Sequence, residues 1–297
     1  MNRKFKSYTK PVSKISEIDY NNLIKAALIE DDVENDVTTL SIFKTKDIVN
    51  AKIIAKQEGI LAGIKIAEKT FLILDRKLKI QIKKDDGSIF KKGECVLEIN
   101  GSIQSILKAE RTALNFLAFL CGISTSTYNI TSKLSKHKIT AVDTRKTIPG
   151  YRKLSKYAVF IGGGCNHRLN LSDMGLIKDN HIAKAKSITQ AVINFKQLHP
   201  RLKCEVEVEN ETQLKEALNS NVDIILLDNM NKNQIKKSVQ IVKKYNKQNT
   251  KNILCEASGG FNENNINTIF KTGVDFVSMG SLTQKINPID FSLEINN

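Results

Sequence analysis

The sequence predicts an α/β protein whose second half is a barrel of parallel strands, and two observations carry that prediction. Short apolar segments alternate with helical segments between about residues 139 and 277, which is typical of βα units around parallel strands. Charged or small polar residues directly follow most of these apolar segments. A barrel places its active site at the C-terminal ends of successive strands, whereas an open doubly wound sheet concentrates polar groups near one switch point. We therefore favour a barrel.

The first part of the chain predicts a separate mixed domain of about 110 residues. Residues 20–30 place apolar side chains at helical spacing, and the acidic run 31–36 ends that helix. Residues 64–74 carry a second helical stripe. Strands are predicted at 51–55, 59–62 and 78–82. A long helix with one apolar face follows, from Ser105 to about Cys121.

The second half contains the strands of the predicted barrel. They are residues 139–142, 176–177, 206–208, 224–227, 253–257 and 274–277. Helical segments lie between them, such as 188–198 and 212–218. The interval from strand to strand leaves room for one crossover helix each time, as parallel pairing requires.

The composition excludes several classes of protein. Hydrophobic residues make up 41% of the 297 residues, and no stretch approaches the roughly 18 to 20 uncharged apolar residues of a membrane span. The start of the chain is basic but leads into polar residues, not into an apolar signal core. The five cysteines are an odd number without a Cys-x-x-Cys pair, which argues against a disulfide framework and a zinc site. We expect a cytoplasmic protein with no membrane partner.

The net charge of +15 has two interpretations. A nucleic-acid partner would bind through it, with a steep salt dependence. The 46 basic residues, however, are 39 Lys and 7 Arg, and the lysines are scattered along the chain. We therefore favour a solvated lysine surface and expect no nucleic acid. Four of the seven arginines lie between residues 111 and 168, and Arg offers the bidentate, permanently charged group that binds carboxylate and phosphate.

A set of cations beside strand ends and glycine-rich turns forms the first candidate site. Its members are Arg111, Arg145, Lys146, His167, Arg168 and Lys178. Two charges about 4 Å apart interact by roughly 4 kcal/mol at an effective dielectric of about 20, so gathering cations without anions costs repulsion. A substrate with two or more negative groups would offset that cost. Each cation alone could be a solvated chain end, but for the set we favour a substrate site.

Glu207 and Asp228, at the ends of neighbouring predicted strands, form the second candidate site. They could hold Mg²⁺, which takes one or two carboxylates and completes its shell with water and substrate phosphates. They could also stabilise a positively charged transition state, or be partly buried carboxylates that answer the nearby cations. Glu205 and Glu209 share the face of Glu207 on an extended strand, so the spacing alone does not single out Glu207.

Glycine-rich segments form the third candidate site. Ser258-Gly259-Gly260 and Gly280-Ser281 fall in the late barrel loops that commonly bind phosphate, while the run 162–164 could simply be a tight turn. The chain has no Walker-type motif and no Gly-x-Gly-x-x-Gly opening a helix, which argues against nucleotide hydrolysis and a nicotinamide dehydrogenase. The three sites together imply a phosphorylated substrate, a polyanionic co-substrate and a divalent cation.

Eight blocks of sequence, in order along the chain, together resemble quinolinate phosphoribosyltransferase, the decarboxylating nicotinate-nucleotide pyrophosphorylase. They are residues 36–39, 110–116, 143–150, 162–168, 176–181, 205–208, 226–229 and 256–260. The resemblance implies an N-terminal α/β sandwich domain and an incomplete, TIM-like α/β barrel of the type II phosphoribosyltransferase kind. We expect the sandwich at residues 1–112, joined by the C-terminal segment 284–297, and the catalytic barrel at 113–283.

The resemblance also implies a role for each candidate residue. The two quinolinate carboxylates would be held by Arg111, Arg145, His167, Arg168 and Lys178. The catalytic residues would be Lys146, at the pyrophosphate end of phosphoribosyl pyrophosphate, and Glu207 and Asp228, at the ribose hydroxyls and Mg²⁺. The 5′-phosphate would be bound by Ser258, Gly259, Gly260 and Gly280. The protein would be a homodimer, or a hexamer built as a trimer of dimers, with Arg111 contributed across the interface.

The implied reaction transfers phosphoribosyl from phosphoribosyl pyrophosphate to quinolinate with decarboxylation, giving nicotinate mononucleotide for de novo NAD biosynthesis. The main alternative is a sister enzyme on the same scaffold that uses nicotinate or another ring acid. A monocarboxylate, however, would not need Arg111, Arg145, Arg168 and Lys178 together. A non-enzymatic structural role would leave the cations unexplained.

Overall fold

The computed structural model describes residues 7–296 and divides the chain into two compact units. The barrel unit contains the described residues up to Pro11, together with Asn129–Thr147 and Gly164–Gln284. The sandwich unit contains Val12–Tyr128, Ile148–Gly163 and residues 285–296. The predicted boundary between residues 112 and 113 falls inside one continuous helix. The division into domains at that boundary stays a prediction.

The described chain contains both strands and helices, and they alternate most regularly in its second half. The strands are β1 (Ile48–Ala55), β2 (Gly59–Ile60), β3 (Lys79–Ile82), β4 (Ile89–Phe90), β5 (Cys95–Ser102), β6 (Thr140–Val142), β7 (Gly175–Ile177), β8 (Cys204–Val208), β9 (Ile224–Asp228), β10 (Leu254–Ser258), β11 (Phe276–Ser278) and β12 (Phe291–Asn296). The α-helices are α1 (Glu17–Glu30), α2 (Val37–Ile42), α3 (Ile64–Leu74), α4 (Ile103–Ser135), α5 (Arg152–Ile161), α6 (Asp179–Ala185), α7 (Ile188–Leu198), α8 (Glu211–Leu218), α9 (Lys232–Asn249) and α10 (Ser281–Gln284). Two 3-10 turns lie at Val33–Asn35 and Ile266–Ile269. None of the helices within residues 7–296 is long and apolar enough to cross a membrane.

The sandwich unit is built on a four-stranded antiparallel sheet in the order β12-β1-β5-β3, with a separate ribbon of β2 and β4. Successive side chains of β1 point to opposite faces of the sheet. Ala51, Ile53 and Ala55 therefore share one face, and they are buried in a cluster with Phe71 of α3 and Leu97 of β5. The last strand, β12, pairs with β1 and so returns the end of the described chain to this sheet.

The helix predicted to end near Cys121 is longer than expected, because α4 continues to Ser135. Gly122 does not end it, although glycine weakens a helix by about 1 kcal/mol. A side chain at Gly122 would lie 2.5 Å from the carbonyl oxygen of Asn287, so the glycine permits a close approach within the sandwich unit. The predicted helical end was therefore wrong for a packing reason that the local sequence does not show.

The barrel unit is built on six parallel strands in the order β6-β11-β10-β9-β8-β7. Strands β6 and β7 form the two edges of this sheet, as expected of an incomplete barrel. A single parallel bridge, from Val142 to Cys165, extends the β6 edge. Helices α7, α8 and α9 cover the sheet with apolar faces, for example through Ile188, Leu214 and Val239, which are buried.

Candidate active site

The carboxyl ends of the parallel strands meet at one edge of the sheet, and predicted site residues lie there. Lys178 directly follows β7, and Glu207 lies near the end of β8. Asp228 and Ser258 are the last residues of β9 and β10, and they are direct partners in the parallel register. Since parallel strands run in the same direction, the fold brings these four residues to the same edge.

Lys178 and Glu207 form an ion pair at this edge. The Nζ atom of Lys178 lies 2.6 Å from Oε2 of Glu207, and the Glu207 side chain is only 12% exposed. The sequence left open that Glu207 is a carboxylate paired with a nearby cation. The contact with Lys178 has the geometry of such a pair. Asp228 accepts a hydrogen bond from the Nδ2 atom of Asn229 at 2.6 Å. Both carboxylates thus have a protein donor on one oxygen.

The loop after β10 packs tightly against the end of β9. Gly259 has a φ angle of +119°, and a Cβ atom there would lie 2.5 Å from Oδ1 of Asn229 and 2.9 Å from its Cα atom. The backbone N–H of Asn229 donates to the carbonyl of Ser258 at 3.0 Å. Gly260 has open space where its Cβ would be. Gly259 is therefore required by the close approach of two strand ends, whereas Gly260 is exposed.

The loop after β11 lies beside the loop after β6. A Cβ atom at Gly280 would lie 3.2 Å from Cδ of Lys146 and 3.6 Å from Oγ1 of Thr144. The hydroxyl of Thr283 donates to the carbonyl of Lys146 at 2.7 Å. The structure therefore brings a lysine side chain next to a glycine turn, an arrangement suited to an anion such as phosphate.

Arg145 and Arg168 are cations close enough to repel each other. Burial, followed by the charge of Arg145, lowers the pKa of Arg168, which is 8% exposed. One Nη atom of Arg168 donates to the carbonyl of Met174 at 3.1 Å. The Nε atoms of both guanidinium groups are buried and have no hydrogen-bond partner among the described residues. Buried, unpartnered donors on two neighbouring cations mark a position where an anion would be stabilised.

His167 was predicted as one of the cations, but the structure gives its ring a different environment. The ring is 6% exposed, and Nδ1 lies 2.8 Å from the backbone N–H of Arg168. A backbone N–H can only donate, so Nδ1 is the acceptor of this bond. The positive charge predicted for His167 stays a prediction. Its Nε2 atom lies 3.0 Å from Oε2 of Glu205 and 3.8 Å from Oε1 of Glu256.

Glu205 and Glu256 are fully buried carboxyl groups, and sequence reasoning did not recognise them as a pair. Burial raises the pKa of Glu205 to about 8, although Arg168 and Lys178 act in the opposite direction. Burial, reinforced by the nearby Glu205, raises the pKa of Glu256 to about 7. Tyr8 donates its hydroxyl hydrogen to Oε2 of Glu256. We call Tyr8, His167, Glu205 and Glu256 the buried acid cluster.

Asp143 fixes the segment that carries His167 and Arg168. Its carboxylate is fully buried and accepts hydrogen bonds from Nδ2 of Asn166 at 2.6 Å and from the backbone N–H of His167 at 2.9 Å. Asp143 directly follows β6, so the two hydrogen bonds attach the segment after Cys165 to the end of that strand. The sequence signal for such groups was present, because Glu256 is a lone acid within an otherwise apolar predicted strand.

Arg111 lies in the sandwich unit, on α4, and its side chain is exposed. It lines a groove of about 490 Å³ together with residues of α1 and the stacked pair Phe116 and Tyr151, whose ring centroids are 5.8 Å apart. The contribution of Arg111 to a neighbouring subunit's site stays a prediction.

The glycine run at 162–164 fits the tight-turn interpretation. The N–H of Gly162 donates to the carbonyl of Ala158 at the end of α5, and Gly163 has a φ angle of +86°. A Cβ atom at Gly162 would lie 2.3 Å from the carbonyl oxygen of Ser124 on α4. This glycine is required by helix packing within the sandwich unit.

Two family models match the chain along most of its length. The model described as "Quinolinate phosphoribosyl transferase, C-terminal domain" matches residues 123–294, and the corresponding N-terminal domain model matches residues 36–121. The chain belongs to the quinolinate phosphoribosyl transferase family. The predicted family, the predicted α/β fold class with an incomplete barrel, and the predicted enzyme class are therefore confirmed.

Individual members of the family are similar over nearly the whole chain. The "Probable nicotinate-nucleotide pyrophosphorylase [carboxylating]" of Bacillus subtilis is 37% identical over 282 residues, which cover 95% of this chain and 95% of that protein. The solved nicotinate-nucleotide pyrophosphorylase of Francisella tularensis has a TM-score of 0.91 and 36% identity, covering 97% of this chain and 100% of that chain. Human Nicotinic Acid Phosphoribosyltransferase shares the fold alone, with a TM-score of 0.61, 10% identity, and coverage of 89% of this chain and 74% of that chain.

Proposed function

We propose that this enzyme transfers the phosphoribosyl group of phosphoribosyl pyrophosphate to quinolinate, with decarboxylation, and so makes nicotinate mononucleotide, pyrophosphate and CO₂ for NAD biosynthesis. The observation that carries the choice of acid is the pair Arg145 and Arg168. Both guanidinium groups have a buried Nε donor without a partner among residues 7–296, and burial, followed by the charge of Arg145, lowers the pKa of Arg168. A dicarboxylate relieves both conditions, because each carboxylate accepts charge-assisted hydrogen bonds and separates the two cations.

The same edge of the sheet offers the remaining contacts of the two substrates. Lys178 supports the second carboxylate, and this requires its bond to Glu207 to open or be shared. His167 contributes a ring that accepts the backbone N–H of Arg168. Arg111 completes the acid site from the partner subunit of a homodimer, or of a hexamer of three dimers, and its exposure on α4 leaves it available for this.

Phosphoribosyl pyrophosphate lies across the ends of β8 to β11 in this proposal. Lys146, beside Gly280, meets the pyrophosphate end, and Glu207 and Asp228 bind the ribose hydroxyls. The 5′-phosphate is received by Ser258, Gly259, Gly260 and Gly280, where backbone N–H groups can approach it. The open space beside the Cα atom of Gly260 supports this placement of the 5′-phosphate.

The donor set of Glu207 and Asp228 fits Mg²⁺. Both groups are carboxylates, both keep an oxygen outside the hydrogen bonds to Lys178 and Asn229, and a pair without a third protein ligand suits an ion that completes its shell with water and phosphate. When bound, Mg²⁺ supplies positive charge beside the departing pyrophosphate. The five cysteines are free thiols, which supports a cytoplasmic location.

The chemistry follows from holding two polyanions against each other. Loss of pyrophosphate leaves an oxocarbenium-like ribosyl carbon, which the carboxylates of Glu207 and Asp228 stabilise electrostatically. The pyridine nitrogen forms the new bond to that carbon and becomes cationic. The ring then accepts the electron pair of the bond to the 2-carboxylate, CO₂ leaves, and a proton takes its place on the ring carbon. Arg145, Arg168 and Lys178 orient the acid so that its nitrogen faces the ribosyl carbon.

Calorimetric titration with quinolinate and nicotinate tests this proposal, because the two acids differ by one carboxylate. We expect quinolinate to bind at least about tenfold more tightly, the contribution of one net charge-assisted hydrogen bond. The matched variant Arg145→Lys keeps the positive charge but loses the bidentate guanidinium group. The ratio of its affinities for quinolinate and nicotinate should therefore be smaller than in wild type. Equal binding of both acids would assign the cations to another substrate.

A further inference from the structure

The N-terminal segment enters the interior of the barrel unit through Tyr8. The Tyr8 residue is 6% exposed, and its ring makes edge contacts with Phe276, with centroids 4.7 Å apart, and with His167, 5.5 Å apart. Phe276 and Ile224, which pack in the same cluster, are the first residues of β11 and β9. The tyrosine is therefore packed inside the barrel unit, directly beside the His167 ring.

Two side-chain hydrogen bonds hold this segment in place. The Tyr8 hydroxyl donates to Oε2 of Glu256 in the middle of β10, and the Thr9 hydroxyl donates to the carbonyl of Asn166. Asn166 directly precedes His167, so both bonds end on the groups that surround the imidazole ring. The bond from Tyr8 joins residues that lie 248 positions apart in the sequence, and the bond from Thr9 joins residues 157 positions apart.

A continuous series of contacts leads from Tyr8 to Arg168. Glu256 receives the Tyr8 hydroxyl on one oxygen and places the other 3.8 Å from Nε2 of His167, where Glu205 approaches to 3.0 Å. The opposite ring nitrogen, Nδ1, accepts the backbone N–H of Arg168 at 2.8 Å. Nδ1 of His167 is therefore bonded to Arg168 and Nε2 faces the two carboxyl groups, so the ring lies between the buried acid cluster and the arginine backbone.

We propose that Tyr8 is a positioning residue for acid binding: through Glu256 and His167 it holds Arg168 in the orientation that receives a substrate carboxylate. This inference rests on the proposed function for the identity of the acid. Without the hydroxyl, the fully buried carboxyl group of Glu256 loses one donor and keeps its hydrogen bond with Ser278, so it can turn towards Ser278 and out of its present position beside Nε2 of His167. That rotation moves the ring away from the Arg168 N–H, and a displacement of about 1 Å in a binding group is enough to weaken binding strongly.

The substitution Tyr8→Phe tests the proposal, since it keeps the ring contacts and removes only the hydroxyl. We expect the KM for quinolinate to rise about tenfold, the fold-change for one hydrogen bond, while kcat and the KM for phosphoribosyl pyrophosphate stay within about twofold. Tyr157→Phe is the matched control, because Tyr157 donates to the Asp86 carboxylate at 2.6 Å within the sandwich unit. It should leave the KM for quinolinate unchanged. A merely structural Tyr8 would change the unfolding midpoint and leave the KM as in wild type, and that result overturns the proposal.

A double-mutant cycle tests whether the effect passes through Arg168. In an Arg168→Ala background, Tyr8→Phe should change the calorimetric affinity for quinolinate by less than about twofold, because the group that Tyr8 positions is gone. If Tyr8→Phe weakens quinolinate binding as much in the Arg168→Ala background as in wild type, Tyr8 does not act through Arg168. If Tyr8→Phe does not fold, Thr9→Val, which removes the neighbouring bond to Asn166, must produce the same selective rise in KM.

The outcomes separate this inference from the proposed function. If wild-type protein neither binds nor turns over quinolinate, the proposed function fails, and the same cycle is measured with nicotinate. If wild-type protein uses quinolinate and both Tyr8→Phe and Thr9→Val match it in KM, only the positioning role of Tyr8 fails.

Discussion

At the scale of single residues, Arg145 has a buried donor that the described part of the chain leaves unused. Its Nε atom is buried without a partner among the described residues, and its charge disfavours the charged form of Arg168. A structural arginine would satisfy its donors with protein acceptors. Arg145 therefore has the features of a group kept for a ligand.

We expect Arg145→Ala to lower kcat/KM for quinolinate by about a thousandfold or more, since two charge-assisted hydrogen bonds are lost. The unfolding midpoint should stay the same or rise, because the repulsion with Arg168 disappears. Steady-state kinetics and thermal unfolding followed by circular dichroism check the two parts. A variant with normal activity, or one that fails to fold, contradicts the assignment.

The buried acid cluster predicts that the protein loses stability as the pH rises. Burial raises the pKa of Glu256 to about 7, so the folded state favours the neutral form of this carboxyl group. Its contribution is fully present below the ordinary carboxyl pKa and is lost as the pH rises through about 7. Thermal unfolding between pH values of about 6 and 8 should show a falling midpoint, and Glu256→Gln, which stays neutral, should reduce the slope.

Glu98→Gln is the control for this experiment. The ion pair with Lys83 lowers the pKa of Glu98, so this carboxylate stays ionised across the whole range and its substitution should not change the slope. Identical slopes for wild type and Glu256→Gln would contradict the burial effect on this group.

The residues at strand ends could be predicted, whereas the residues beneath them could not. Lys178 and Asp228 interrupt apolar runs at points where strands must end, and this is a local signal. The bond from Tyr8 to Glu256 joins residues 248 positions apart, and no local pattern contains it. The hydrogen bond on Nδ1 of His167 depends likewise on a backbone N–H whose direction only the folded chain fixes.

At the scale of elements, the two glycines after β10 have different functions although they are adjacent. Gly259 allows the end of β9 to approach the loop, while Gly260 faces open space with a φ angle of +63°. The first is required by packing, and the second only by backbone conformation.

Gly259→Ala should therefore be more damaging than Gly260→Ala. A methyl group at Gly259 collides with the backbone of Asn229, displaces the loop that receives the 5′-phosphate, and should raise the KM for phosphoribosyl pyrophosphate by at least about tenfold. Gly260→Ala should cost the strain of a left-handed residue, about 1 kcal/mol of unfolding free energy, and should raise the same KM less, because its Cβ meets no protein atom and leaves the loop in place. Equal KM values in the two variants would contradict the loop assignment.

Long periodic helices were predictable, whereas short helices were not. The helical stripes at 64–74 and 188–198 match α3 and α7, because four or five apolar contacts on one face determine a helix. Helices α2 and α6 have six and seven residues, too few for a periodic signal. Strand β5 was missed because Gly101, with a φ angle of +153°, and Asn100 weaken its alternation.

At the scale of the whole molecule, the proposed site needs two chains. Arg111 is exposed on α4, and the proposal makes it part of the partner subunit's acid site. In a dimer in which each subunit contributes a residue to its partner's site, two different inactive variants can together form an intact site, which a monomer cannot do.

Mixing two inactive variants tests this arrangement. Arg111→Ala and Arg145→Ala dimers should each be inactive. After the subunits are unfolded, mixed and refolded together, about a quarter of wild-type activity should return, since half of the random dimers carry one intact site of two. Refolding each variant alone is the control. No recovery in the mixture, with dimers present by light scattering, would contradict the contribution of Arg111 across the interface.

A product assay with purified protein, Mg²⁺, phosphoribosyl pyrophosphate, and either quinolinate or nicotinate tests the proposed reaction itself. We expect nicotinate mononucleotide and CO₂ in equal amounts from quinolinate, and no product from nicotinate. Product from nicotinate alone, or from neither acid, would contradict it and would mean that Arg145, Arg168 and Lys178 serve a different anion.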